Sequence, residues 1–334
     1  MPLRKKSTPL TGIDSLFVDL DGVVYRGEGA IPHAVDAMKK SALPTAYLTN
    51  NASRTPEQVA GQLQGYGLPA RPDDIVTSPQ AAMTLLRDVA PAGATILVVG
   101  GEGLTREVEQ AGFVVTRSAD DSPVAVVQGF SPDVGWEHLA EASFALQRDT
   151  AMPWIATNTD WTIPLARGTA PGNGALVSAV HLAVGRLATF AGKPEVAMFD
   201  VAKKRLGVSA PLMIGDRLDT DIAGANRAGI TSALVLTGID QAKQIIAAAE
   251  GERPDFLLAD LRGLHTGYPH VTRSTDSDGV HTVEVGKAVV RRKGHVIRVA
   301  RKGEPLDLLR AGAHCVWDSG LKVFGLDIDP VIYT

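Results

Sequence analysis

Short apolar runs rich in β-branched residues recur along this chain, and longer amphipathic stretches separate them. Strands joined by helices pair in parallel, so this alternation predicts an α/β fold of parallel sheets with crossover helices. Residues 15–20 (SLFVDL) and 45–49 (TAYLT) read as strands. Helices are predicted over 32–41, with proline in the first turn, over 56–66 behind a Thr55 cap, and from a Ser78 cap to about Val89. A second series places strands at 94–100, 113–116, 124–128 and 154–157, with helices at 104–111 and 136–148. A long apolar helix comes after Pro171-Gly172-Asn173-Gly174. The third series has strands at 211–214, 232–236 and 256–259, separated by helices at 195–206, 219–228 and 241–249. Beyond Pro269 the pattern changes. Residues 270–278 are polar and read as a linker. Residues 280–299 alternate apolar and polar, which predicts two or three antiparallel strands turning at Lys293-Gly294. A short helix and more strands complete a small β-rich unit over 270–334 that packs on the core or on a second subunit.

Composition removes several classes of function. Thirty-three basic against 37 acidic residues give a net charge of −4, and aromatics make up 5%. Neither suits a nucleic-acid binder, which needs positive charge and stacking rings. The basic residues Lys287, Arg291, Arg292, Lys293, Arg298, Arg301 and Lys302 cluster in the C-terminal unit and read as a solvated face of alternating strands. The single cysteine, Cys315, excludes an internal disulfide framework and a cysteine metal site. Its apolar setting (AHCVW) reads as core. No apolar run approaches the ~20 residues of a membrane span. Residues 1–10 lack a signal-peptide core, because Gly12 and Asp14 interrupt the next apolar residues. The expectation is a cytoplasmic protein with neither nucleic-acid nor membrane partners.

Four polar signals sit at strand or helix ends. Asp19-Leu20-Asp21-Gly22 ends the first strand, where open α/β sheets bind ligands. Two carboxylates followed by a turn-forming glycine can share a metal and a substrate. An Asp pair capping a loop, or a D-x-D glycosyltransferase metal site, explains them as well. Thr49-Asn50-Asn51 ends the second strand, either as a phosphoryl cradle or as a polar turn. Gly192-Lys193-Pro194 enters a helix, where the flanking residues can aim one lysine as a point charge. Gly215-Asp216-Arg217-Leu218-Asp219-Thr220-Asp221 follows a buried strand, as an acidic cap or as hard-cation ligands.

In this order the four motifs, FVDLDGVVYRG, LTNNASRT, GKP and IGDRLDTDIAGA, resemble those of the haloacid dehalogenase superfamily of hydrolases. The similarity is to its subfamily IIA, which includes the NagD-type nucleotide phosphatases, the pyridoxal phosphate phosphatases and the phosphoglycolate or glycerol-3-phosphate phosphatases. It covers about residues 13–264. The resemblance implies a hydrolase core over 1–86 and 188–265, built on a Rossmann-like, doubly wound parallel sheet, and an inserted α/β cap of C2 type over 87–187. Residues 270–334 form an extension outside the match.

The resemblance also implies roles. Asp19 is the nucleophile that forms an aspartyl phosphate, and Asp21 the general acid and base. Thr49, Asn50 and Asn51 hold phosphoryl oxygens, and Lys193 offsets their charge. Mg²⁺ falls to Asp19, the Asp21 carbonyl and Asp216, with Asp221 supporting the shell. Asn158 and Asp160, in Thr157-Asn158-Thr159-Asp160, either meet substrate hydroxyls or hold the loop. Arg167 meets an anionic group or is solvated. Ile163 stands where the pyridoxal phosphatases tend to carry a ring-contacting histidine, which ranks glycerol 3-phosphate first. The implied partner is a small phosphate ester, and a homodimer through the cap is implied. A phosphotransferase with the same intermediate, and a regulatory protein on an inactive hydrolase fold, are the competing classes.

Overall fold

The computed structural model describes residues 7–333 apart from 53 and 166. Two compact units divide the chain. One comprises the chain up to Pro44 together with that from Ala210 onward, and the other is Thr45–Ser209.

In the first unit, parallel strands lie in the order Phe256–Leu258, Thr231–Val235, Pro211–Gly215, Ser15–Val18. Ser15–Val18 and Pro211–Gly215 are buried at every position, as continuous apolar runs in a sheet covered on both faces must be. Their register sets Ser15 beside Pro211 and Val18 beside Ile214. Both strands therefore end at the same edge.

The C-terminal sheet of this unit has the order Val271–Thr275, His281–Val285, Ala288–Lys293, Val296–Arg301, Asp327–Ile328. Its pairs are antiparallel except the last. The polar stretch 270–278, expected to be a linker, thus contains a strand. Val271–Thr275 is an edge strand with four of its five residues exposed, so its sequence needs no apolar alternation. Lys287, Arg291, Lys293, Arg298, Arg301 and Lys302 are exposed, as expected of a solvated face; Arg292 alone is half-buried.

The C-terminal elements share one apolar core with the parallel sheet. Val283, Val290, Ile297, Leu308, Leu309 and Cys315 pack with Leu234, Ile245, Ile246 and Leu257. Burial pushes the Cys315 thiol up to about 11, as befits a core residue. Helix Pro305–Trp317 carries the buried Arg310, whose Nε and Nη2 donate to the Leu257 carbonyl at 3.1 and 2.6 Å. Its Nη1 is neutralised by Asp307 at 2.8 Å, and its guanidinium lies over the Tyr268 ring.

The second unit pairs Thr45–Thr49 with Ile75–Thr77 in parallel. Thr55 caps helix Pro56–Gly65 in a capping box with Gln58. Thr77, rather than Ser78, caps helix Ser78–Val89, and the Ser78 hydroxyl donates instead to the Asn50 carbonyl at 2.7 Å. A five-stranded parallel sheet comes next, in the order Thr189–Phe190, Trp154–Ala156, Ala125–Gln128, Thr95–Val99, Val114–Thr116. Helices Trp136–Arg148 and Asn173–Val184 supply Ala142, Leu146, Val177 and Val180 to its core. A hairpin, Thr162–Leu165 with Gly168–Pro171, leads into the second of these helices. Among the described residues no helix is long and apolar enough to cross a membrane.

Candidate active site

The acidic residues of the first unit converge because their strands end together. Asp19 follows Ser15–Val18, and its N–H donates to the Ile214 carbonyl at 2.9 Å. Asp216 follows Pro211–Gly215, and Asp221 comes from the π turn Leu218–Ile222. Where the sequence predicts one helix over 219–228, that turn precedes a shorter helix, Ala223–Arg227. Carboxylate oxygens of Asp19, Asp216 and Asp221 all lie within 4.8 Å of one another. Asp216 and Asp221 are buried and Asp19 is half-buried. Asp21 is exposed, and its backbone bridges to Tyr25.

Backbone donors aim the buried carboxylates. Ile239 N–H donates to Asp216 Oδ2 at 2.7 Å. Asp216 and Arg217 N–H donate to Asp221 Oδ2 at 3.2 and 3.1 Å. A Cβ at Gly22 or Gly238 would strike the Asp216 carboxylate, and one at Gly215 would strike Asp221. Gly22 also has φ +78°, where a side chain is strained. Nearby, burial pushes the Asp240 carboxyl above its ordinary range, against the Leu218 N–H that donates to it at 2.6 Å. Three clustered carboxylates repel one another, and a cation relieves that repulsion. Their oxygens are hard donors, with neither histidine nor cysteine in the group, so the set fits Mg²⁺ or Ca²⁺ better than a thiophilic metal.

The polar residues of the second unit form a bracket around Asn50. Asn50 Oδ1 accepts from Lys193 N–H at 2.9 Å, while its Nδ2 donates to the Lys193 carbonyl at 3.0 Å and to Asp160 Oδ1 at 3.1 Å. The Asn50 carbonyl accepts from the Ser78 hydroxyl and from Asn158 Nδ2, each at 2.7 Å. Asn158 Oδ1 accepts from Asp160 N–H at 3.1 Å, and its carbonyl accepts from Asn173 Nδ2 at 2.9 Å. Thr49 is buried, and its hydroxyl accepts from Asn51 N–H at 3.1 Å; Asn51 is exposed. Lys193 is 2% exposed, and its Nζ donates to the Leu48 carbonyl at 3.3 Å. Arg167 is exposed.

Thus Asp19, Asp216 and Asp221 come together in one unit, and Thr49, Asn50, Asn158, Asp160 and Lys193 in the other. Sequence reasoning passes over the role of Ser78, the Asn173 amide, and Thr237-Gly238-Ile239-Asp240. The last carries one usable signal, a Thr-Gly pair and an aspartate soon after a buried parallel strand.

Two family models match this chain: haloacid dehalogenase-like hydrolase over residues 16–114, and HAD-hydrolase-like over residues 190–264. A D-glycerol 3-phosphate phosphatase of Mycobacterium tuberculosis is 39% identical over 306 residues, covering 92% of this chain and 86% of its own. The crystal structure of a glycerol phosphate phosphatase from Mycobacterium tuberculosis in complex with magnesium superposes with a TM-score of 0.86 at 36% identity, covering 97% of this chain and 95% of that one. A thermostable NPPase from Geobacillus stearothermophilus, a double mutant, gives 0.67 at 33% identity, covering 75% of this chain and 96% of its own. The chain belongs to the haloacid dehalogenase-like hydrolase family.

Proposed function

We propose that this chain is a Mg²⁺-dependent phosphatase that hydrolyses a small phosphate monoester, glycerol 3-phosphate foremost. The Asp19–Asp216–Asp221 cluster at the ends of two parallel strands carries the reading. The choice of substrate is supported by the identity with the mycobacterial D-glycerol 3-phosphate phosphatase and by the aliphatic Ile163.

Asp19 attacks phosphorus through a carboxylate oxygen, and the bond from phosphorus to the ester oxygen breaks. Asp21 gives its proton to the departing alkoxide. It then takes a proton from the water that attacks the phosphorylated Asp19, which releases phosphate, restores the Asp19 carboxylate and returns Asp21 to its protonated form. Exposure of Asp21 suits a group that exchanges protons with leaving group and water. Thr49, the Asn50 N–H and Asn51 hold phosphoryl oxygens, while Asn158 and Asp160 shape this part of the site through the Asn50 bracket. Lys193 offsets the charge that would otherwise keep a phosphate dianion from a carboxylate. Asp19, the Asp21 carbonyl and Asp216 would hold Mg²⁺, with Asp221 in support. When bound, the cation neutralises charge at a phosphoryl oxygen.

In this reading residues 1–86 and 188–265 form the core, 87–187 the cap and 270–334 an extension. The free, buried Cys315 supports a cytoplasmic setting, and the exposed Trp136, Leu182 and Leu187 support a homodimer through the cap.

Phosphate release from glycerol 3-phosphate, phosphoglycolate, pyridoxal phosphate, nucleotide monophosphates and sugar phosphates, with and without EDTA, tests the proposal. Metal-dependent release should be fastest from glycerol 3-phosphate. A strong preference for pyridoxal phosphate or a nucleotide overturns the substrate, and no release from any ester overturns the class.

A further inference from the structure

The loop 237–240 lies outside all four motifs, yet it touches both acid-bearing turns of the first unit. Thr237 Oγ1 donates to the Gly22 carbonyl at 2.7 Å, directly after Asp21. Ile239 N–H donates to Asp216 Oδ2 at 2.7 Å, and Asp240 N–H to the Asp216 carbonyl at 3.1 Å. The Asp240 carboxylate accepts from Leu218 N–H at 2.6 Å, which fixes the turn that leads to Asp221. The Gly238 backbone lies against the Asp216 carboxylate, in the space a Cβ would take. Two outer contacts hold the loop itself. Arg26 Nη2 donates to the Thr237 carbonyl, and Gln241 Nε2 donates to the Gly238 carbonyl at 2.9 Å.

We propose that this loop is a brace that sets the acidic cluster in its cation-binding geometry, with Thr237 and Asp240 as its positioning residues. The inference rests on the reading that Asp19, Asp216 and Asp221 hold a divalent cation. Mg²⁺ demands near-octahedral oxygens and tolerates little displacement. Three mutually repelling carboxylates do not hold such an arrangement unaided. Hydrogen bonds from behind orient them, and losing one such partner typically lowers metal affinity about 10–100-fold. Asp240 works through the acceptor it offers Leu218, so an amide oxygen at the same place serves equally.

Calorimetric titration of the full chain with Mg²⁺ tests this without substrate. The proteins compared are the wild type, Thr237→Val, Asp240→Ala, Asp240→Asn and Asp216→Ala, with far-UV circular dichroism to verify folding. The Mg²⁺ Kd should rise about 10-fold in Thr237→Val and Asp240→Ala. Asp240→Asn should stay near the wild type. Should Asp240→Ala fail to fold, the near-isosteric Thr237→Val decides. Wild-type affinity in Thr237→Val and Asp240→Ala, with binding lost in Asp216→Ala, overturns the brace and leaves the cation site standing. Equal loss in Asp240→Asn and Asp240→Ala assigns the effect to charge and overturns the positioning role. Wild-type affinity in Asp216→Ala overturns the cation site and the brace together.

Discussion

Gly238 stands where a methyl group would strike a buried carboxylate, and that one absence lets backbone and Asp216 close on each other. Gly238→Ala must push Asp216 aside, so we expect a stability loss of about 1–3 kcal/mol together with weaker cation binding. Gly61 provides the contrast. It lies exposed in helix Pro56–Gly65, and a Cβ there meets nothing within 4 Å. Gly61→Ala should stabilise by roughly 0.5–1 kcal/mol. Thermal unfolding of the two variants side by side checks both signs. The pair also marks what a sequence discloses at this scale. Asp19, Asp21 and Gly22 are contiguous, and Asp216 and Asp221 lie within one turn, so their chemistry is local and readable. Gly238 and Asp240 matter because folding brings them to Asp216, across a separation that no spacing rule bridges. The bond from Asn158 to the Asn50 carbonyl likewise joins residues far apart in the chain, which no spacing rule reveals.

Helix Pro305–Trp317 joins the C-terminal sheet to the core, and its last turn carries a pH-sensitive contact. His314 Nδ1 accepts from Arg273 Nη2 at 2.9 Å, and the His314 ring meets Trp317 edge-on. Burial, and then the Arg273 charge, push its pKa down to about 4, with Asp318 opposing and Arg253 adding slightly. The unfolded chain takes up this proton near the ordinary value of 6.5, while the folded chain resists until about 4. The neutral imidazole's contribution is therefore complete above pH 6.5 and is lost as pH falls toward 4. The loss is on the order of 3 kcal/mol. Urea unfolding at pH 7 and pH 4.5 should show a smaller acid loss in His314→Gln than in the wild type; equal losses would refute the assignment. Elements with a buried face, such as Ser15–Val18, Thr45–Thr49 and Trp136–Arg148, lie close to where their apolar patterns put them. Val271–Thr275 is missed because an edge strand pairs through its backbone, and its exposed side chains leave no pattern. The hairpin Thr162–Leu165 with Gly168–Pro171 is missed because each strand has only four residues and Pro164 lies within the first.

At the scale of the molecule, the C-terminal elements are structural members of the first unit. Ile245, Ile246 and Leu257 of the parallel α/β layer are covered by Leu308, Leu309 and Cys315, and the Leu257 carbonyl takes two hydrogen bonds from Arg310. The Geobacillus NPPase covers 75% of this chain, whereas the mycobacterial phosphatase structure covers 97%. Deleting residues 270–334 would uncover Ile245, Ile246 and Leu257. We expect the truncated chain to melt lower and to aggregate, which light scattering during a thermal ramp would register; an unchanged melting temperature would mean the shared core is dispensable.

The proposed mechanism requires that Asp19 be phosphorylated in a metal-dependent hydrolysis. The most direct measurement compares the wild type with Asp19→Asn, both shown folded by circular dichroism, for phosphate release from glycerol 3-phosphate with Mg²⁺ and with EDTA. Release is expected from the wild type with Mg²⁺, none with EDTA, and none from Asp19→Asn in either condition. Release by Asp19→Asn at near the wild-type rate, or wild-type release indifferent to EDTA, would contradict it.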